Sequence, residues 1–236
     1  KHPPLYYLLL HLWILVFGDA TVAVRSLSIL FGAALPPLLA LLGAELGDRR
    51  AGLMAGLLAA FNPILVWYSQ EARMFLPAAT VGVLATWCLL RALKQRRVLW
   101  WIGFVLCSLA GFYMYLFYAF LLAFHGVLAL VWLVRAARTE RRDGTRLLVQ
   151  ILASFGILGA LLLPLALNAL AVSGAESQAG RPFHGVWTTL WNLLTQYTLY
   201  LGDPAPAWKS VIMLAALGLL ALGLLVPPAR RWLTLG

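Results

Sequence analysis

The run from Val98 to Val134 is 37 residues long and contains no Asp, Glu, Lys or Arg. About 20 apolar residues suffice for one helical crossing of a bilayer. This run is too long for a single ordinary span, so it has to fold back on itself. Aromatic rings prefer the level of the lipid headgroups, and Phe112, Tyr113, Tyr115, Phe117, Tyr118 and Phe120 mark where the turn falls. A chain with such a hairpin is an integral membrane protein.

Composition agrees with the hairpin. Hydrophobic residues make up 63% of the 236 residues and charged ones 11%, against about half and about a quarter in soluble domains. Mean hydropathy is +0.88. The apolar runs lack the alternation of barrel strands, so the spans are helical. The net charge of +10 does not point to nucleic acid, because the basic residues gather in short loops between apolar runs, the pattern that orients membrane helices. Cys88 and Cys107 lie inside apolar runs and read as small packing residues. No cleavable signal peptide is visible, and the opening on Lys1 without a methionine reads as a piece of a longer protein.

The fold expected is an all-α, polytopic transmembrane bundle in one domain. Seven spans are predicted at 25–46, 51–69, 74–93, 98–117, 119–134, 147–170 and 209–226. The segment from Pro3 to Phe17 is short for a crossing and is expected to lie at the interface or to insert partly. Small residues four apart, Gly52/Gly56 and Gly103/Cys107/Gly111, predict close helix contacts. Loops at 47–50, 91–97, 135–146 and 227–232 carry thirteen Lys and Arg, and the opposite side carries five: Lys1, Arg25, Arg73, Arg181 and Lys209. The thirteen are expected on the cytoplasmic side. That assigns residues 171–208 to an outer loop, in which Trp187, Leu190, Trp191, Leu194, Tyr197 and Leu201 recur at helical spacing. They predict an amphipathic helix over about 187–201, lying flat on the membrane.

The chemistry-bearing candidates follow from polar residues at membrane depth. Glu71 and Arg73 stand between two apolar runs, where ionisable groups are costly and mark function. They could form a plain interfacial salt bridge. They could also form a phosphate site, since a guanidinium offers two parallel donors to phosphate oxygens. Gln70 and Ser69 add neutral donors, and Pro63 can bend the preceding helix. Lys1 and His2 precede Pro3-Pro4, which suits a first helical turn whose free N–H groups favour anions. Arg181 and His184 are candidates in the outer loop. His11 and His125 read as packed or snorkelling, Asp203 as a weak candidate carboxylate, and Asp19, Asp48 and Asp143 as turn residues.

Three stretches occur in a telling order: His2-Pro3-Pro4-Leu5-Tyr6-Tyr7 through Trp13, then Phe17-Gly18-Asp19 with Arg25-Ser26-Leu27-Ser28, then Trp67-Tyr68-Ser69-Gln70-Glu71-Ala72-Arg73-Met74. Over about residues 1–95 the chain resembles bacterial membrane glycosyltransferases of the GT-C superfamily, in the protein O-mannosyltransferase-like and aminoarabinose-transferase-like branch. The resemblance implies a bundle with a cavity open to lipid. It also implies sugar transfer from a polyprenyl-phosphate-linked donor to a glycan, lipid or protein acceptor at the outer face of a bacterial inner membrane.

By that resemblance Lys1 and Arg73 contact the lipid phosphate, and the Glu-Ala-Arg segment lines the same cavity. Tyr6 and Gln70 join Lys1, His2, Arg73, Arg181 and His184 as substrate-binding candidates, and Glu71, the best carboxylate within the chain, is the catalytic candidate. A divalent metal ion is compatible with such a site, and no other cofactor is implied. Family members place an acidic pair, one of which serves as general base, ahead of the Pro-Pro motif. That base is expected upstream of residue 1, so this portion alone is expected to be inactive. Phe75 stands where the family usually has Tyr. The rival classes are a transporter or lipid flippase, which would favour internal repeats, and a membrane scaffold, which would not need polar residues at one depth.

Overall fold

The computed structural model describes residues 3–139 and 141–175, together with residues 187, 188 and 218. The elements within it are all helices: α1 (Leu5–Phe17), α2 (Thr21–Leu46), α3 (Arg49–Ala60), α4 (Pro63–Ser69), α5 (Phe75–Gln95), α6 (Val98–Met114), α7 (Tyr118–Thr139) and α8 (Arg141–Ala175). Their boundaries have local causes. Gly18, at φ 82°, ends α1 in a conformation that favours glycine. Asp48 caps α3 by accepting from Ala51 N at 2.8 Å. Asn62 caps α4 by accepting from Ile64 N and Leu65 N, and Pro63 takes the first helical position.

Among the described residues, α2, α5, α7 and α8 are long and apolar enough to cross a membrane; α3 and α4, bent by 58° at a short break, form a fifth crossing if they count as one. The expected span at 51–69 is thus a broken one, with Pro63 just past the break. The expected span at 98–117 is shorter than its apolar run, because α6 stops at Met114 and the aromatic residues make the turn into α7. Helix α8 begins before and ends after the expected 147–170. Asp143, expected in a turn, lies in its first helical turn. At 13 residues, α1 is about 20 Å long, too short to cross the hydrocarbon core. The span at 209–226, the rest of the outer loop and the amphipathic helix over 187–201 lie outside the described residues, apart from Trp187, Thr188 and Gly218, which are helical.

Helix α5 is the hub: 61% of its apolar window is buried, against 11% for α7. It packs against α2, α4, α6 and α7. Its Ala85, Leu89 and Leu93 meet Trp101 and Phe104 of α6 and Leu147 and Leu158 of α8 in the main core. The small-residue contacts expected from the sequence are present. A Cβ on Gly52 would overlap the Ala40 carbonyl of α2, and one on Gly103 would lie 3.1 Å from Cys88 Sγ. Both cysteines are free.

Two polar contacts lock helices together. Glu45 of α2 holds Arg91 Nε at 2.7 Å and Lys94 Nζ at 2.8 Å, both on α5. The Arg91 guanidinium also lies 5.1 Å from the Trp87 ring and 5.7 Å from Trp100. His125, fully buried, is packed as expected: Thr86 gives its hydroxyl proton to Gly82 O at 2.8 Å and so accepts from His125 Nε2 at 2.9 Å. His11, by contrast, is exposed on α1.

Candidate functional site

The loop between α4 and α5 carries Gln70, Glu71, Ala72 and Arg73. It is tight: Arg73 N donates to Glu71 O at 2.9 Å, and Glu71 N to Tyr68 O at 3.3 Å. Glu71 is fixed from both sides. Trp67 Nε1 donates to its Oε1 at 3.0 Å, and Arg73 Nε stands 3.6 Å from its Oε2. The Arg73 side chain is nevertheless 64% exposed, so most of its five-donor guanidinium is open to a ligand. Gln70 ends α4 and is exposed. Ser69 is not an open donor, since its hydroxyl bonds Val66 O at 2.6 Å.

Packing beneath the loop sets its position. Gly32 of α2 lies where a Cβ would stand 2.6 Å from Ser69 Cβ and 2.9 Å from Leu76 Cδ2. Only a glycine lets the two ends of the loop sit this close to α2. Tyr6, 1% exposed, packs with Leu27, Met74, Ala78 and Met114. The N-terminal motif and the Glu-Ala-Arg-Met motif therefore share one cluster, although about seventy residues separate them. Tyr6 lies under the loop, with Ser28 as the polar neighbour of its hydroxyl, and neither hydroxyl makes a well-formed hydrogen bond. Trp13 reaches α2 at Ala23 O (2.9 Å) and Ser26 Oγ (3.0 Å), tying α1 to the motif around Arg25. Lys1, His2, Arg181 and His184 lie outside the described residues.

A groove of about 510 Å³ opens beside the loop, walled by Tyr68, Phe75, Tyr115, Phe117, Tyr118 and Leu121 among others. Tyr68 stands just before the charged residues and Phe75 just after them. Tyr68, Phe75 and Tyr115 are joined edge to face, with centroids 5.5 and 5.3 Å apart. Sequence reasoning missed this wall, taking the aromatic residues of the α6–α7 turn only as markers of the interface. It also missed Trp67 as the partner of Glu71. The signal was present in the density of rings flanking both segments, but nothing in the sequence brings them together.

The arrangement places a largely exposed arginine two residues before Phe75, which helps to wall an aromatic, apolar groove. That suits a ligand with an anionic head and a long apolar tail. Among the described residues no three His, Cys, Asp or Glu converge, and the Glu71 carboxylate is held by Trp67 and Arg73. The family model for dolichyl-phosphate-mannose-protein mannosyltransferases matches residues 1–163, which include the loop, the groove and all of α1 to α7. The chain belongs to this mannosyltransferase family. It is a multi-pass membrane glycosyltransferase, and the match extends beyond about residue 95, where the resemblance read from the motifs ends. No curated protein and no solved structure matches it.

Proposed function

We propose that the protein transfers a sugar from a polyprenyl-phosphate-linked donor to a glycan, lipid or protein acceptor at the outer face of a bacterial inner membrane. The observation that carries this reading is the exposed Arg73, paired with a Glu71 that Trp67 holds, on a loop whose flanking Tyr68 and Phe75 wall the aromatic groove. Arg73 grips the donor phosphate through charge-assisted bonds, and the first isoprene units run along Tyr68, Phe75 and Tyr115. Glu71 orients Arg73 and is not the base.

In the reaction, the acceptor hydroxyl attacks the anomeric carbon from the face opposite the phosphate. The new C–O bond forms as the bond to the phosphate oxygen breaks, and the configuration inverts. Arg73 and Lys1 stabilise the charge that builds on the departing phosphate. The hydroxyl proton passes to the carboxylate that the family resemblance puts ahead of the Pro-Pro motif.

The test is transfer from radiolabelled polyprenyl-phosphate-sugar by the full-length protein in proteoliposomes. Arg73→Ala is expected to lose at least about 100-fold in turnover, as removal of a transition-state donor does, and Arg73→Lys to recover part of it. Near-normal turnover of Arg73→Ala would remove the residue from the site. Labelling of Arg73→Cys by an impermeant thiol reagent from the cytosolic side alone would overturn the outer-face assignment.

A further inference from the structure

A second groove, of about 290 Å³, runs between α6 and α8 at the end of the bundle away from the donor groove. The donor groove sits at the α6–α7 turn, whereas this one starts at Val98, the opposite end of a 17-residue helix that is about 25 Å long. Its walls are Val98, Trp101 and Val105 of α6 and Gln150, Ser154 and Ile157 of α8. Two polar atoms on these wall residues are buried without a partner: Trp101 Nε1 and Gln150 Oε1. Trp101 is only 4% exposed. Gln150 Nε2 donates to Arg96 O at 3.1 Å, which levels it with the corner between α5 and α6.

Two cations lie at this end of α6 and α8. Arg97 immediately precedes Val98, and Arg146 lies one helical turn before Gln150 on the same face of α8; both are exposed. Trp101 follows Arg97 by four residues, which is about 6 Å deeper along the helix. Charge at one end of an apolar trough repeats the order of phosphate and acyl chain in a phospholipid.

We propose that this groove is a binding site for an anionic diacyl phospholipid, with its phosphate on Arg97 and Arg146 and one acyl chain along Val105 and Ile157. Basic pockets between membrane helices recognise such headgroups. The apolar run at 209–226 fits the groove less well as an occupant, because its end carries Arg230 and Arg231 and would add cations to an end of the bundle that is already positive. The site is separate from the donor site and does not depend on the donor reading.

The experiment is native mass spectrometry of the delipidated full-length protein with dioleoyl-phosphatidylglycerol or dioleoyl-phosphatidylcholine added. The tightest site is expected to favour phosphatidylglycerol by at least about tenfold. The double variant Arg97→Ala/Arg146→Ala is expected to weaken phosphatidylglycerol by about 25-fold, about fivefold per cation lost, with little change for phosphatidylcholine. Ala153→Trp, which fills the groove and keeps the charges, is expected to remove the tight site. It decides the matter should the double variant not fold. Equal binding of the two lipids overturns the proposal. So does a preference that survives Ala153→Trp, in which case the groove is covered by residues 209–226 or by a second copy of the chain.

Discussion

Replacing Gly32 with Ala should damage transfer far more than it damages the fold. The added Cβ would stand 2.6 Å from Ser69 Cβ, about 0.8 Å inside ordinary contact, with the Ser69 backbone only 3.6 Å away. That neighbour is not the tip of a flexible side chain, so the end of α4 has to move. Overpacking of this kind costs about 1–3 kcal/mol, and the better helix propensity of Ala returns about 0.8–1 kcal/mol. The net loss of stability should be about 0–2 kcal/mol. Ser69 precedes Glu71 and Arg73 by two and four residues, so a shift near 1 Å reaches the phosphate site, where such a misplacement can cost about 100-fold in rate.

The assay pairs unfolding in mixed detergent micelles with transfer by the full-length protein. Gly156→Ala is the control: among the described residues nothing lies within 4 Å of its Cβ position in α8, and it should gain about 0.4–1 kcal/mol with unchanged turnover. If Gly32→Ala matched Gly156→Ala in both stability and turnover, the claim that α2 positions the loop would be refuted.

Other outcomes follow from the same contacts. Gly111→Ala puts a methyl group on the Tyr118 ring, which is 4% exposed. It should cost about 1–3 kcal/mol in the same unfolding assay and push that ring toward the donor groove, raising KM for the donor. Glu45→Gln leaves Arg91 and Lys94 without their shared counter-charge. Because the three side chains are 13–33% exposed, the loss should fall between that of surface and buried pairs, about 1–3 kcal/mol, and high salt should reduce it. Trp67→Phe keeps the ring but removes the donor to Glu71. Transfer should fall by about tenfold, the low end for a bond to a charged group, while the unfolding midpoint stays nearly constant.

Hydropathy located most of the described helices because each long apolar run must be satisfied by its own backbone hydrogen bonds. It located the fold-back in Val98–Val134 for the same reason. It overestimated α6, because aromatic residues at the turn are as apolar as a helix interior. It also clipped α8, whose first turn holds Arg141, Arg142 and Asp143 and therefore carries no apolar signal. The break between α3 and α4 was legible in Asn62-Pro63, though its 58° bend was not. Of the site, Glu71 and Arg73 stood out because charges are rare at membrane depth. Burial of Tyr6 under Met74, the brace from Trp67 and the wall of Tyr68, Phe75 and Tyr115 depend on how α1, α4, α5 and the α6–α7 turn pack together, and no local pattern encodes that.

The most direct measurement is the affinity of the full-length protein for polyprenyl monophosphate, a ligand with the phosphate and tail but no sugar. Wild-type protein should bind it at low salt, and Arg73→Ala should bind it at least about tenfold more weakly, because a charge-assisted bond to phosphate is worth about 1.5–3 kcal/mol. Equal affinity in the two proteins would contradict the account and return Glu71 and Arg73 to the role of an interfacial salt bridge.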